Sequence, residues 1–300
     1  MRRAISRLIV SASIGCCVSA VALAQSEKIP LRMPPRPNQL VHVKVVQETE
    51  MEVSFEGNAL PPGVTGPMKM ITKVTIAMTQ KTGSPNAEGD IEAELTYDDV
   101  RTDSIMNGQP MPANNASASF TGKKMSVTFD KQGGVVNVKV PADVGLPEET
   151  FKQLLKSMYG NLPDTSIAVG ETTAVPLDFT IPLPLPGAAP LKMQGDAKHT
   201  LASIETTSEG RIAKFDHVMD GKMVSDIELS LPTGKVQLSV DFKMTGGGSM
   251  LTNLDKGILA SSETTANFDG TFKVSGGSNT PPVPPMSLHG KTKSTTTSAN

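Results

Sequence analysis

Residues 41–55 read VHVKVVQETEMEVSF. Counting in twos from Val41 gives Val41, Val43, Val45, Gln47, Thr49, Met51, Val53 and Phe55; counting from His42 gives His42, Lys44, Val46, Glu48, Glu50, Glu52 and Ser54. Successive side chains of an extended chain point to opposite faces. The stretch therefore predicts one long strand, apolar on one side and charged on the other. The same alternation returns in Met68, Met70, Val74, Ile76 and Met78, opposed by Lys69, Lys73, Thr75, Thr79 and Lys81. It returns again in Val236, Leu238, Val240, Phe242 and Met244 against Lys235, Gln237, Ser239, Asp241 and Lys243. A helix would scatter those lysines around its cylinder.

Shorter alternating runs are Ile91–Tyr97, Met125–Phe129, Val136–Val140, Ile227–Leu231 and Ile258–Phe268. Asn107-Gly108, Gly133-Gly134, Asp220-Gly221 and Asp269-Gly270 punctuate them and read as hairpin turns, because such pairs accept positive φ. Hairpins imply antiparallel pairing, and one-sided alternation implies a sheet with one wet face. Strands this long must twist and coil. At Asp98-Asp99 the alternation slips, which predicts a β-bulge.

One segment departs from the period of two. In residues 147–160, Phe151, Leu154, Leu155 and Met158 recur at helical spacing, with a proline and two acids at the start and Gly160 after the end. An amphipathic helix over 147–159, lying across the apolar face, is the expectation.

The N-terminus carries Arg2, Arg3 and Arg7 and then an apolar run from Leu8 to Leu23, closed by Ala22-Leu23-Ala24. This reads as a signal peptide, 1–24, cleaved after Ala24 to leave a periplasmic or secreted chain with no transmembrane helix. Two alternatives are an uncleaved anchor, for which the run is short of ~20 residues, and a lipoprotein. For the latter, Ser13-Ile14-Gly15-Cys16 lacks the usual bulky aliphatic residue three places before its cysteine. Cleavage removes three of the 28 basic residues and none of the 30 acidic ones, taking the formal charge from −2 to −5. It also removes Cys16 and Cys17, the only two cysteines. Disulfides, thiolate metal sites and cysteine nucleophiles are thereby excluded from the mature chain.

Residues 25–38, with four prolines, read as a leader; 39–274 as the antiparallel β domain; 275–285 as a Gly/Pro loop; and 286–300 as a polar tail or a last edge strand. The prolines at alternate places in 181–190 suit an extended crossover. Phe129-Asp130-Lys131-Gln132-Gly133-Gly134 echoes Leu254-Asp255-Lys256-Gly257. Two related halves, 39–162 and 163–274, would account for the echo, and so would two ordinary Asp-Lys hairpins.

The segment Leu162-Pro163-Asp164-Thr165-Ser166-Ile167-Ala168-Val169-Gly170-Glu171-Thr172 resembles a pattern in a family of uncharacterised secreted bacterial proteins, in which a Pro, a Val-Gly-acid triplet and a long strand meander recur. The stretch from Gly246-Gly247-Gly248-Ser249 to Leu254-Asp255-Lys256-Gly257 is similar to that family's glycine-led hairpin. Family members often place Trp after the triplet, where Thr173 and Ala174 stand here. The likeness covers residues 39–274 in layout and about 20 residues in motif. It implies an all-β envelope protein and brings no functional residue.

Chemistry-bearing patterns are sparse. The four histidines, His42, His199, His217 and His289, lie far apart in sequence, without the short-spaced pairs that zinc sites commonly use. Each reads as a solvated strand residue. Asp216, His217, Asp220 and Ser225 make no recognisable triad, and a strand ending in an Asp-Gly hairpin is the simpler reading. Asn86, Glu88 and Asp90, and separately Asp98, Asp99 and Asp103, lack a calcium-loop pattern. Gly246–Ser249 lacks the ending of a phosphate loop. The acidic mature chain, with no Trp and two Tyr, disfavours nucleic acid. Methionine, at 16 residues, is the compositional oddity. Met68, Met70, Met78, Met125, Met244 and Met250 fall on faces read as apolar, where a soft thioether fills irregular space.

The expectation is therefore an all-β chain with one helix: a large coiled antiparallel sheet, as a half-barrel or open barrel, without cofactor or metal. An exported cell-envelope module, structural or binding another protein and without catalysis, comes first. The alternative is a lipid or apolar-ligand binder lined by Met70, Val74, Ile76, Met78, Phe151, Leu155, Val240 and Phe242, by analogy with periplasmic lipoprotein carriers. A hydrolase with an unrecognised site comes last.

Overall fold

The computed structural model describes residues 27–56, 66–112, 120–141, 165–181, 191–231, 234–275 and 284–299. The expected signal peptide, the expected helix 147–159 with Phe151 and Leu155, and most of 181–190 lie outside them. Among the described residues no helix is long and apolar enough to cross a membrane, which says nothing of strands.

All regular structure among the described residues is β. In chain order the strands are β1 (Lys28–Pro30), β2 (Leu40–Phe55), β3 (Met68–Thr82), β4 (Ile91–Met106), β5 (Gln109–Pro110), β6 (Lys124–Phe129), β7 (Val135–Lys139), β8 (Ser166–Ala168), β9 (Thr172–Ile181), β10 (Leu191–Thr207), β11 (Gly210–Leu231), β12 (Gly234–Asn253), β13 (Ile258–Ser275) and β14 (Met286–Ala299). One antiparallel sheet runs β7-β6-β4-β3-β2-β14-β13-β12-β11-β10-β9, with β5 on β4, and β1 pairs with β8 apart from it. This is the all-β coiled sheet the alternation predicts.

The register makes one face continuous. Val45 opposes Ile76 and Thr296; Met51 opposes Met70 and Gly290; Val240 opposes Phe272 and Ser225. The other face is charged: Glu48 lies between Lys73 and Lys293, and Glu50 lies opposite Lys291. Glu52–Lys69 (3.3 Å) and Glu263–Lys293 (2.6 Å) close as exposed ion pairs. Such pairs each contribute ~1 kcal/mol or less. Their stronger effect is to oppose a one-residue slip, which would turn the apolar set outward.

The apolar face is the concave one. Ile29 and Leu31 are buried against Leu201, Phe215 and Ile167, and Met33 joins that cluster. The backbone of Met33 also packs on Gly133 in the β6–β7 turn, its carbonyl 3.0 Å from where a Cβ would stand. Yet β6 and β10 are eight places apart in the sheet order, ~38 Å if the sheet were flat. A segment from Leu31 to Met33 spans only ~7 Å. The sheet must roll toward residues 29–33, that is, toward its apolar side. Bulges at Asp98, Ala202, Val136 and Ala260, each the extra residue where the register shifts, all lie toward this end. Each adds local twist.

Four sequence readings change. Residues 25–38 are not merely a leader: β1 and the chain after it strap the rolled end. Thr82 Oγ1 donates to the Arg36 carbonyl (2.5 Å), Arg36 to the Leu254 carbonyl (3.1 Å) and Gln39 to that of Lys256 (3.1 Å). Residues 286–299 are neither tail nor edge: β14 sits between β13 and β2 and joins the two meanders. Asp220-Gly221 and Asp269-Gly270 are not turns but mid-strand, inside β11 and β13. By contrast Asn107-Gly108 is a two-residue turn, with φ of 48° and 81°. The echoed hairpins differ in bonding: Asp130 accepts from Gly134 N within its own turn (2.7 Å), whereas Asp255 accepts from Arg211 N of the neighbouring strand (2.8 Å).

Candidate functional site

The inward face of the rolled sheet is zoned along the strands. At the strapped end Leu201, Phe215 and Ala213 are fully buried. Toward the other end lie two rows rich in thioether and phenyl groups. One passes through Met244, Phe268, Gly290, Met51, Met70 and Met106, the next through Met193, Met223, Phe242, Gly270, Leu288 and Val53. Phe242 stacks on Phe268 with ring centroids 5.7 Å apart. Phe242 covers Gly270, its ring carbon 2.8 Å from where a Cβ would stand, and Phe268 covers Gly290 in the same way. An aromatic ring laid over a cross-strand glycine restores the packing that the glycine lacks.

Between these zones runs a polar belt: Thr173, His199, His217, Gly248, Thr264, Ser294 and Gln47 are successive cross-strand partners from β9 to β2. Gly248 is central to it. With no side chain on β12 in the way, His217 Nε2 reaches over that strand and meets Thr264 Oγ1 of β13 at 3.1 Å. A Cβ on Gly248 would stand 2.8 Å from Thr264 Cα and closer still to the Glu263 carbonyl. Only glycine permits this curvature. His199 and His217 face each other with ring centroids 6.1 Å apart. Burial lowers the pKa of both; the neighbouring His217 lowers His199 further, while Asp216 partly offsets the shift at His217. Below the belt Thr49 and Thr292 pair through their hydroxyls (3.0 Å) and Thr72 pairs with Ser104 (3.3 Å).

From β9 to β4 the one inward register position with a formal charge among the described residues is Arg211, at the strapped end of β11, where it pairs with Glu27. No group of three metal-ligating side chains occurs among the described residues. A Ser-His-Asp arrangement is excluded at His217. Asp216 and Asp220 point to the opposite face, and Ser225 lies eight residues along the strand, roughly 26 Å away.

Met70, Val74, Ile76 and Met78 lie on this inward face, half-buried, on β3. Val240 is inward but 4% exposed, part of the packed core. Phe242 lies inward and half-buried above Gly270. The reading of all four histidines as solvated holds for His42 and His289, which face outward, and fails for His199 and His217. The missed signal was present: His199 sits in step with Met193, Ala197 and Leu201, and His217 with Phe215 and Met219.

No family model matches the sequence, and no curated protein does. Among solved structures the chain is similar to a BenF-like porin from Pseudomonas fluorescens Pf-5, at 8% identity over 88% of this chain and 100% of that one, with a TM-score of 0.24. It is also similar to Pseudomonas aeruginosa OccK9 (OpdG), at 6% identity over 87% and 99%, TM-score 0.21. Vibrio cholerae OmpT, an outer membrane protein, follows at 9% identity over 87% and 100%, TM-score 0.15. TM-scores this low carry no argument about what the chain does.

Proposed function

We propose that this is an exported, non-catalytic protein of the cell envelope that binds an apolar ligand on the inner face of its rolled sheet. The observation that carries the reading is the polarity of the roll. A membrane-spanning barrel turns apolar side chains outward to lipid and keeps a polar lumen. Here the outward face is laced with Glu48, Lys73, Glu263 and Lys293, and the inward face is apolar, its one formal charge among the described residues being Arg211 at the strapped end, paired with Glu27. That polarity suits a chain that meets water outside and hydrocarbon inside. Beyond Val41, the Met, Phe and Val groups on β2, β3, β13 and β14 are only half-buried, so this part of the face is not sealed as a dry core would be. Soft thioethers there adapt to chains of varied shape.

Recognition of a protein partner, first in the sequence reading, becomes the second reading. It rests on β9, which has a strand neighbour only on its β10 side among the described residues and offers an edge for strand addition.

Native mass spectrometry of the exported chain, combined with uptake of the neutral fluorophore N-phenyl-1-naphthylamine, tests the proposal. A co-purifying apolar adduct, or fluorophore binding saturating at micromolar concentration, is expected. A uniformly unliganded mass with no fluorophore uptake would overturn it.

A further inference from the structure

Building on the apolar-ligand reading, we infer that the bound molecule is an uncharged amphiphile. Its hydroxyl- or ester-bearing head sits on the belt formed by His199, His217, Thr264 and Ser294, and its hydrocarbon chain runs along the Met/Phe rows toward Phe272.

Two independent features point this way. The first is what the inward face lacks. The one inward arginine, Arg211, lies six residues from His217 toward the strapped end and is paired with Glu27. With no Lys or Arg at an inward register position from the belt to Phe272, an ionised carboxylate or phosphate would leave water without a countercharge, which penalises its transfer. A neutral head pays no such penalty.

The second is what the face contains. A face built only to pack would carry Val or Leu at the belt. Instead Thr264 and Ser294 are direct cross-strand partners, half-buried, with His217 drawn over Gly248 onto Thr264. His199 and Ser294 make no side-chain hydrogen bond to a described residue, so their polar atoms are available to a ligand. Imidazoles and hydroxyls together offer both donors and acceptors, which matches the mixed demand of a glycerol or an alcohol. The dimensions agree. From Thr264 to Phe272 the inward face of β13 runs roughly 26 Å at ~3.3 Å per residue, enough for a long acyl chain with its head at the belt.

Displacement of N-phenyl-1-naphthylamine from the full exported chain at pH 7.5 tests the inference. The three displacing lipids are 1-monooleoylglycerol, oleate and oleoyl-lysophosphatidylglycerol. The glycerol ester should displace the fluorophore at a concentration at least tenfold lower than either anionic lipid. In the doubly substituted Thr264→Val, Ser294→Ala chain that preference should shrink at least fivefold, each displacement being referred to that chain's own affinity for the fluorophore. Anionic lipids that compete as well as the ester would overturn the head-group assignment and leave the apolar-ligand reading intact. A preference that survives the double substitution would overturn the belt as its source. Absence of fluorophore uptake would overturn both readings together. Should the double variant fail to fold, the order of the three lipids on the unmodified chain decides.

Discussion

The inward face is one surface by register but two by burial. In the β10–β12 sector Leu201, Phe215, Ile227 and Val240 are between 0% and 4% exposed. In the β2–β3 sector no inward side chain from Val43 to Val53, or from Met68 to Met78, is fully buried. Both sectors arise from the same alternation, so alternation alone does not decide which part becomes core. At Leu201 and Phe215 the difference follows from what lies across the roll. The strap brings Ile29 and Leu31 onto Leu201 and Phe215, whereas the β2–β3 sector carries Gln47, Thr49 and Thr72 amid its apolar groups. One sector supplies stability; the other keeps a surface.

The largest expected effect tests that division. Phe215→Ala should cost about 3–5 kcal/mol, the usual range for emptying a fully packed phenyl site. Val74→Ala, which trims a half-buried group, should cost about 1 kcal/mol or less by area. Urea midpoints on the exported chain measure both. Equal losses would mean that the β2–β3 sector is core as well, and the reading of it as a binding surface would fall.

The legibility of this molecule divides along the same line. Strand faces were readable wherever charges alternate with aliphatics, as in β2 and β3, because a period of two leaves no other regular structure that hides the valines. The Asp98 bulge was readable because the alternation slips there. Mid-strand Gly pairs were misread as turns. Asp220-Gly221 and Asn107-Gly108 look alike locally, yet only Asn107 and Gly108 take positive φ. What keeps Gly221 extended is its neighbours on β10 and β12, which no local window contains. For the same reason the His199–His217 pair was invisible at 18 residues' separation until register placed the two side by side. The strap was hidden by its prolines, although Ile29 and Leu31 among them have a core's composition.

A middle-sized effect probes the boundary between the sectors. Gly248→Ala would drive a methyl into the Glu263–Thr264 backbone, and relief requires β12 and β13 to separate. A loss of about 1–3 kcal/mol, as for other overpacked sites, is expected. Gly66, where a Cβ would meet nothing within 4 Å, provides the control, with Gly66→Ala staying within about 0.5 kcal/mol of the parent. Loss of the His217–Thr264 contact should accompany the Gly248 change, visible as a shift of the His217 imidazole resonances. If Gly248→Ala were neutral, the curvature would not depend on glycine, and the roll would need another cause.

The smallest effect is titration of the belt. His199 and His217 both have pKa values below the ordinary 6.5, chiefly because burial penalises the imidazolium. The unfolded chain therefore takes up protons before the folded one does. Linkage then makes stability rise with pH across the interval from the lowered folded values up to 6.5. The contribution is fully present above 6.5 and is lost as pH falls through the folded values, where two imidazoliums would face each other across β10 and β11. Thermal unfolding followed from pH 7.5 down to 5.5 should show a falling midpoint, and the His199→Gln, His217→Gln double variant should flatten that slope. If the double variant kept the full slope, the acid sensitivity would arise elsewhere in the chain. The belt would then not be withdrawn from water, because burial is the larger cause of the lowered proton affinity at both imidazoles.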